Sequence, residues 1–222
     1  MLFVIPKDLA YELAAVADAA SADVQRPILG TIKLEAERDR EAGYVTLTAV
    51  ATDSYRLARR EAKIRIEDTV DGDADAALFD HEKGNLLVPA KEWKRQLKAV
   101  ADAAKVGNVL VDVTPTSITF ATEIGGTPEV SVPIQDNLGT FPKYRTLIGP
   151  VCAEIEGKLP AFNAVLLASI ATIISARPSD RDKSPVLMRA TSPSENTELK
   201  PWLFLRNSQW SSLEVLLMPH RV

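Results

Sequence analysis

With 222 residues, 46% of them hydrophobic and 25% charged, the chain is long enough for one large domain or two small ones with a proper core. A formal net charge of −4 argues against a surface that coats nucleic acid everywhere, while leaving room for one basic face on an acidic body. The single cysteine, Cys152, excludes an internal disulfide and suits a reducing compartment.

The opening residues, Met1 to Pro6, are too short for a secretion signal and lack its basic stretch. They read as a strand over 2–6 that leads into an amphipathic helix over 7–21, with Leu9, Leu13, Val16 and Ala20 on one stripe. Strands are expected over 27–37, 44–53 and 55–66. The order then restarts with a strand over 85–89, a helix over 90–105, and strands over 108–115, 117–124 and 128–135. A third pass gives a strand over 151–158, a helix over 159–176, and strands over 185–192, 201–207 and 212–219. Pro6, Pro89 and Pro160 stand at or near the three helix starts, where a missing N–H costs nothing. The most apolar run, Leu159 to Ala176, is interrupted by Asn163, Ser169 and Thr172 and falls short of a membrane span. A soluble, cytoplasmic protein is expected.

The pattern is an α+β chain of three βαβββ units, helices on one face and sheets outside. Residues 1–147 hold two of them (1–84 and 85–147) and form one complete domain; residues 148–222 hold one more, a half domain. A single unit has too little core to stand alone, and two packed back to back bury both helix stripes. Units one and two satisfy each other. Unit three is left without a partner in its own chain, so an oligomer is expected.

Catalytic and metal chemistry find little support. Asp71, Asp73, Asp75 and Glu82 fall at calcium-loop spacing, but Ala76 occupies the position that demands glycine, and the flanks read as strand and loop, not two helices. An acidic surface hairpin fits that stretch better. His81 and His220 have no second cysteine near them, Cys152 falls in an expected strand, and 124-IGGTPE-129 reads as a hairpin turn rather than a phosphate loop. No enzyme, metal or cofactor is expected.

Five stretches in this order, 28-ILGTIKLEAE-37, 47-LTAVATDSYRLA-58, 87-LVPAKEWKRQLK-98, 140-TFPKYRTLI-148 and 214-EVLLMPHRV-222, resemble the bacterial replicative sliding clamp, the beta subunit of DNA polymerase III. They are similar to that family's "VATDGHRLA", "FPDYRRLIP" and "MPMRL" elements. The resemblance covers the family's second domain and the second half of its third, and across 149–213 only the strand–helix–strand order supports it. A clamp chain of this family has six units and closes a ring of twelve as a dimer; with three units per chain, the resemblance implies a homotetramer, a dimer being the competitor.

The resemblance also implies a hydrophobic pocket for short peptides of polymerases and clamp loaders. Carried over by match, it consists of Ile28, Thr52, Tyr55, Arg56, Leu57, Pro142, Leu147, Leu216, Leu217, Met218 and Pro219. Tyr55 offers an aromatic wall, Arg56 a donor for a carbonyl or carboxylate, and methionine an adaptable surface. Ser54 replaces the family's usual glycine and His220 its methionine. The second helix fits a DNA-lining role: Lys91, Lys94, Arg95 and Lys98 share one face, and Lys105 follows, against Glu92 and Asp102. The first helix has Lys7 against Asp8, Glu12 and Asp18, and the third has only Arg177. Duplex DNA, a polymerase, a clamp loader and further copies of the chain are thus the expected partners. The other reading is a clamp-derived interaction protein that binds clamp-binding peptides or a host clamp without encircling DNA.

Overall fold

The computed structural model describes residues 2–39, 41–65, 86–104, 107–114, 116–123, 129–135, 138–147, 162–174, 187–190, 202–208 and 211–218. Strand β1 (Leu2–Pro6) runs into helix α1 (Lys7–Ala15), whose end tightens into a 3₁₀ segment at Val16–Ala19. Strands β2 (Thr31–Asp39), β3 (Tyr44–Thr52) and β4 (Arg56–Arg65) follow. The second unit has β5 (Leu86–Pro89), α2 (Ala90–Ala103), β6 (Asn108–Val113), β7 (Ser117–Thr122) and β8 (Val130–Pro133). The third has α3 (Ala164–Ile174), β9 (Leu187–Ala190), β10 (Trp202–Ser208) and β11 (Ser211–Leu217). The strand expected over 151–158 and the acidic loop lie outside the described residues.

One expected strand starts later than its sequence suggests. Pro27–Gly30 is a 3₁₀ turn, and β2 begins at Thr31. Pro27 has no N–H to give a ladder, and the Thr31 hydroxyl caps the turn by donating to the Ile28 carbonyl at 2.7 Å.

Unit order along the chain does not reveal the strand exchange that builds the two sheets. β1 pairs with β6, giving the sheet β1-β6-β7-β8, while β5 pairs with β2 of the first unit. Each unit lends its first strand to the other, so backbone hydrogen bonds fasten the pair as well as side-chain burial. Between the sheets α1 and α2 lie together. Trp93 of α2 is buried, donates its indole N–H to the Leu13 carbonyl at 2.9 Å, and meets Phe120 edge-on at 5.4 Å.

The expectation that unit three has no partner in its own chain is corrected. β11 pairs antiparallel with β4, setting Leu216 opposite Leu57 and Glu214 opposite Arg59, and extends the second sheet to β5-β2-β3-β4-β11-β10-β9. The edge of β4 would otherwise leave a row of N–H and C=O groups unpaired. Ile170, Ile173 and Ile174 of α3 are buried in the same core as α1. Val165 and Leu167 of the same helix are exposed.

Period-two alternation gives the seven-stranded sheet two buried faces. Ala49, Ala51, Ala58, Val88, Phe204, Val215 and Leu217 point toward the helices. Their neighbours Val50, Leu57, Leu87, Leu203 and Leu216 point outward into a second cluster, which Phe141 and Tyr144 cover. That outer cluster is where the candidate site sits.

Candidate functional site

The site starts with a turn. Asp53 folds the chain between β3 and β4 by accepting the N–H groups of Tyr55 and Arg56 on Oδ1, both at 2.9 Å. Its Oδ2 accepts Arg56 Nε at 2.9 Å, and the Thr52 hydroxyl donates to the Arg56 carbonyl at 2.8 Å. Arg56, expected to hold a partner's carbonyl or carboxylate, thus gives its Nε first to a carboxylate of its own chain. Ser54, at the apex, has φ +80°, in the left-handed region where a side chain is strained. The C-terminal end of β11 is tied to this turn, since Met218 N–H donates to the Tyr55 carbonyl at 2.9 Å.

A second segment is laid against the outer cluster. Phe141 and Tyr144 are buried there, and a 3₁₀ turn over Tyr144–Thr146 delivers Leu147 to the edge. Glu35 on β2 anchors it: Tyr144 Oη donates to Oε2 at 2.5 Å, Arg145 Nη2 at 2.8 Å, and Lys33 Nζ pairs with Oε1 at 2.5 Å. Burial pushes the Glu35 carboxyl up, but the donors Lys33, Tyr144 and Arg145 outweigh it and hold the group at about 2. Burial, then the same carboxylate, raises the Tyr144 hydroxyl well above the usual phenol range.

Between turn, segment and strand end lies an open cleft of about 40 Å³, lined by Thr52, Ser54, Tyr55, Arg56, Leu57, Leu147, Leu216 and Met218. Seven of these are residues expected from the sequence. Tyr55, Leu147 and Met218 stand at the rim, each substantially exposed. The remaining expected residues separate. Leu217 is fully buried among the helix-facing residues, because neighbours in a strand point to opposite faces; its inclusion is corrected. Ile28 packs against the outer cluster, and Pro142 is exposed; neither lines the cleft. Pro219 lies outside the described residues. The anchors Glu35, Lys33, Tyr144 and Arg145 were not singled out in the sequence, although the outward positions of β2 alternate Lys33, Glu35, Glu37.

The helix pair presents a different surface. Ala90, Trp93, Leu97, Val100 and Ala101 form the buried stripe of α2, leaving Lys91, Arg95 and Lys98 exposed. Lys94 is partly exposed and paired with Asp18 of the 3₁₀ segment Val16–Ala19. Lys105 lies outside the described residues. Glu12, counted from sequence against the first helix, is buried and paired with Arg60 of β4. With Glu12 inside and Asp18 neutralised, the pair is less acidic than the sequence of α1 suggests. Tyr11 Oη donates to Asp102 and Lys7 Nζ to the Ala104 carbonyl at 2.9 Å, tying α1 to the end of α2.

Residues 4–128 match the family model of the DNA polymerase III beta subunit, central domain, which is more than half of the chain. The chain belongs to the DNA polymerase III beta subunit family. The beta sliding clamp of Micrococcus luteus is 31% identical over 150 residues, covering 66% of this chain and 41% of that relative. The sliding clamp of Bartonella birtlesii bound to griselimycin matches with a TM-score of 0.65 and 18% identity, over 100% of this chain and 66% of the other. The Thermotoga maritima beta subunit matches with a TM-score of 0.64 and 14% identity, over the same shares of the two chains. At such identities the two structures carry the sliding-clamp fold alone, which this α+β chain has. The beta-subunit-family chain spans less than half the length of the curated relative it matches. Among its described residues no helix is long and apolar enough to cross a membrane.

Proposed function

We propose that this chain is a processivity clamp of reduced size: a non-enzymatic homotetrameric ring that encircles duplex DNA and tethers a polymerase and a clamp loader through the outer cleft. The observation that carries the reading is the convergence of three sequence-distant segments, Thr52 with Ser54 to Leu57, Leu147, and Leu216 with Met218, on one apolar cleft with a few polar groups. Such a cleft suits a short peptide with an apolar anchor. On the helix side, Lys91, Arg95 and Lys98 have the chemistry for phosphate contacts that hold DNA without reading bases, which is what sliding needs.

The ring rests on the third unit. Exposed apolar residues on α3, Val165 and Leu167, support pairing with the same unit of a second copy, and twelve units then require four chains. Light scattering over a concentration series should give about four times the 24.2 kDa chain mass, near 97 kDa. A mass near two chains would leave the hole unclosed and favour the clamp-derived interaction protein, for which the uncharged α3 (Ala164–Ile174) already speaks.

Charge reversal tests the inner surface. Replacing Lys91, Arg95 and Lys98 together with Glu should weaken retention on circular duplex DNA. It should also flatten the salt dependence, by about 0.9 in the log–log slope for each phosphate no longer neutralised. Unchanged retention would remove the DNA-lining role from α2.

A further inference from the structure

Ser54 is the one non-glycine residue with positive φ among the described residues, and it lines the cleft. A strained residue at a binding surface points to a use for the side chain that holds it there. Its hydroxyl oxygen accepts Arg26 Nη1 at 3.2 Å, across 28 residues of sequence. Arg26 in turn is fixed by Asp23, whose Oδ2 accepts its Nε at 2.9 Å, while Asp23 Oδ1 accepts the Gln25 N–H at 2.9 Å. Backbone hydrogen bonds from Arg26 N–H to the Asp23 carbonyl (3.2 Å) and from Leu29 N–H to the Arg26 carbonyl (3.0 Å) keep this loop in shape. The serine is therefore braced from outside the cleft, by a side chain that is not part of its lining.

From this we infer that Ser54 is a specificity-determining residue which sets the size limit of the cleft, with Arg26 as its positioning residue. The inference rests on the reading of the cleft as a peptide site and names the peptide class it takes. The open cleft is small, about 40 Å³, and Ser54 forms part of its wall. One branched aliphatic side chain, a leucine or isoleucine, fits against Leu57, Leu216 and Met218. A large aromatic anchor needs the apex of the turn to retreat. Arg26 opposes that retreat by holding the hydroxyl.

The test is a pair of fluorescein-labelled hexapeptides that differ only in a Leu or Trp anchor, measured by anisotropy against the full chain. The parent is expected to prefer Leu by at least about tenfold. Ser54→Gly removes the wall and its brace together, and the preference should fall below about threefold. Arg26→Ala, an exposed change that leaves the turn's own hydrogen bonds in place, should give an intermediate ratio. Unchanged ratios in both variants would overturn the inference while leaving the cleft as a peptide site. If the parent binds neither peptide, or binds them as well after Met218→Asp, the reading of the cleft fails and the inference with it. Circular dichroism melting of each variant separates lost folding from altered preference; Ser54→Gly, relieved of strain, should melt no lower than the parent.

Discussion

Arg60→Met is expected to lower the unfolding free energy by about 3–5 kcal/mol, a larger loss than any surface substitution would give. Arg60 and Glu12 are each only 1% exposed and form an ion pair between β4 and α1. Arg60 also donates Nη1 to the Glu61 carbonyl at 2.7 Å, so its guanidinium is held by the strand as well as by the helix. Removing the cation leaves a carboxylate in a site closed to water, where it must either take up a proton or carry an uncompensated charge. Replacing both partners, Glu12→Leu with Arg60→Met, removes charge and countercharge together and should recover to within about 1 kcal/mol of the parent. Urea unfolding of the parent, the single variant and the double variant measures this. A single variant that loses less than about 1 kcal/mol would mean that water reaches the pair. The pair fixes how α1 lies on the sheet, and α1 packs against α3 and leads into the 3₁₀ segment whose Asp18 pairs with Lys94.

What the sequence displays and what it conceals divide along physical lines. The helices and most strands follow from periodicity because burial acts on one residue at a time: the Trp93, Leu97, Val100 stripe has to face a core wherever α2 lies. The exchange of β1 and β5 between sheets is set by backbone pairing between distant segments, on which the side-chain pattern of each strand is silent. Charge counting failed at Glu12 for a related reason. A glutamate within a helix reads as surface until a buried arginine on another element, Arg60, is known to lie beneath it. For the cleft, three matching segments named most of the lining, but the motif could not say that Leu216 and Leu217 point to opposite faces. Only the register of β11 against β4 decides that. The Glu35 anchor escaped notice because Glu35, Tyr144 and Arg145 come together through an irregular segment with no period to read.

That anchor makes the cleft sensitive to acid. The Glu35 carboxyl sits at about 2 in the folded chain against an ordinary value of 4.5. A group whose folded value is depressed contributes stability that is complete above the unfolded value and is lost as pH falls through the folded one. The window is thus from about 4.5 down to about 2. A shift of that size has a ceiling of about 3 kcal/mol, and because Arg145 faces water, roughly 1–2 kcal/mol is the expected contribution at neutral pH. Glu35→Gln should therefore cost about that much at pH 7 and nearly nothing at pH 2, where the parent has lost the same interactions. The loss should be local first. Tyr144 and Arg145 hold the turn that delivers Leu147, so hydrogen exchange at the Leu147 amide, bonded to the Tyr144 carbonyl at 2.9 Å, should speed up in the variant at pH 7. Peptide affinity should fall with it, since Leu147 forms one wall of the cleft. A variant with the parent's pH dependence and unaltered exchange would show that burial of Phe141 and Tyr144 holds the segment by itself. The ion pairs would then be ornaments on a segment that the hydrophobic cluster already secures.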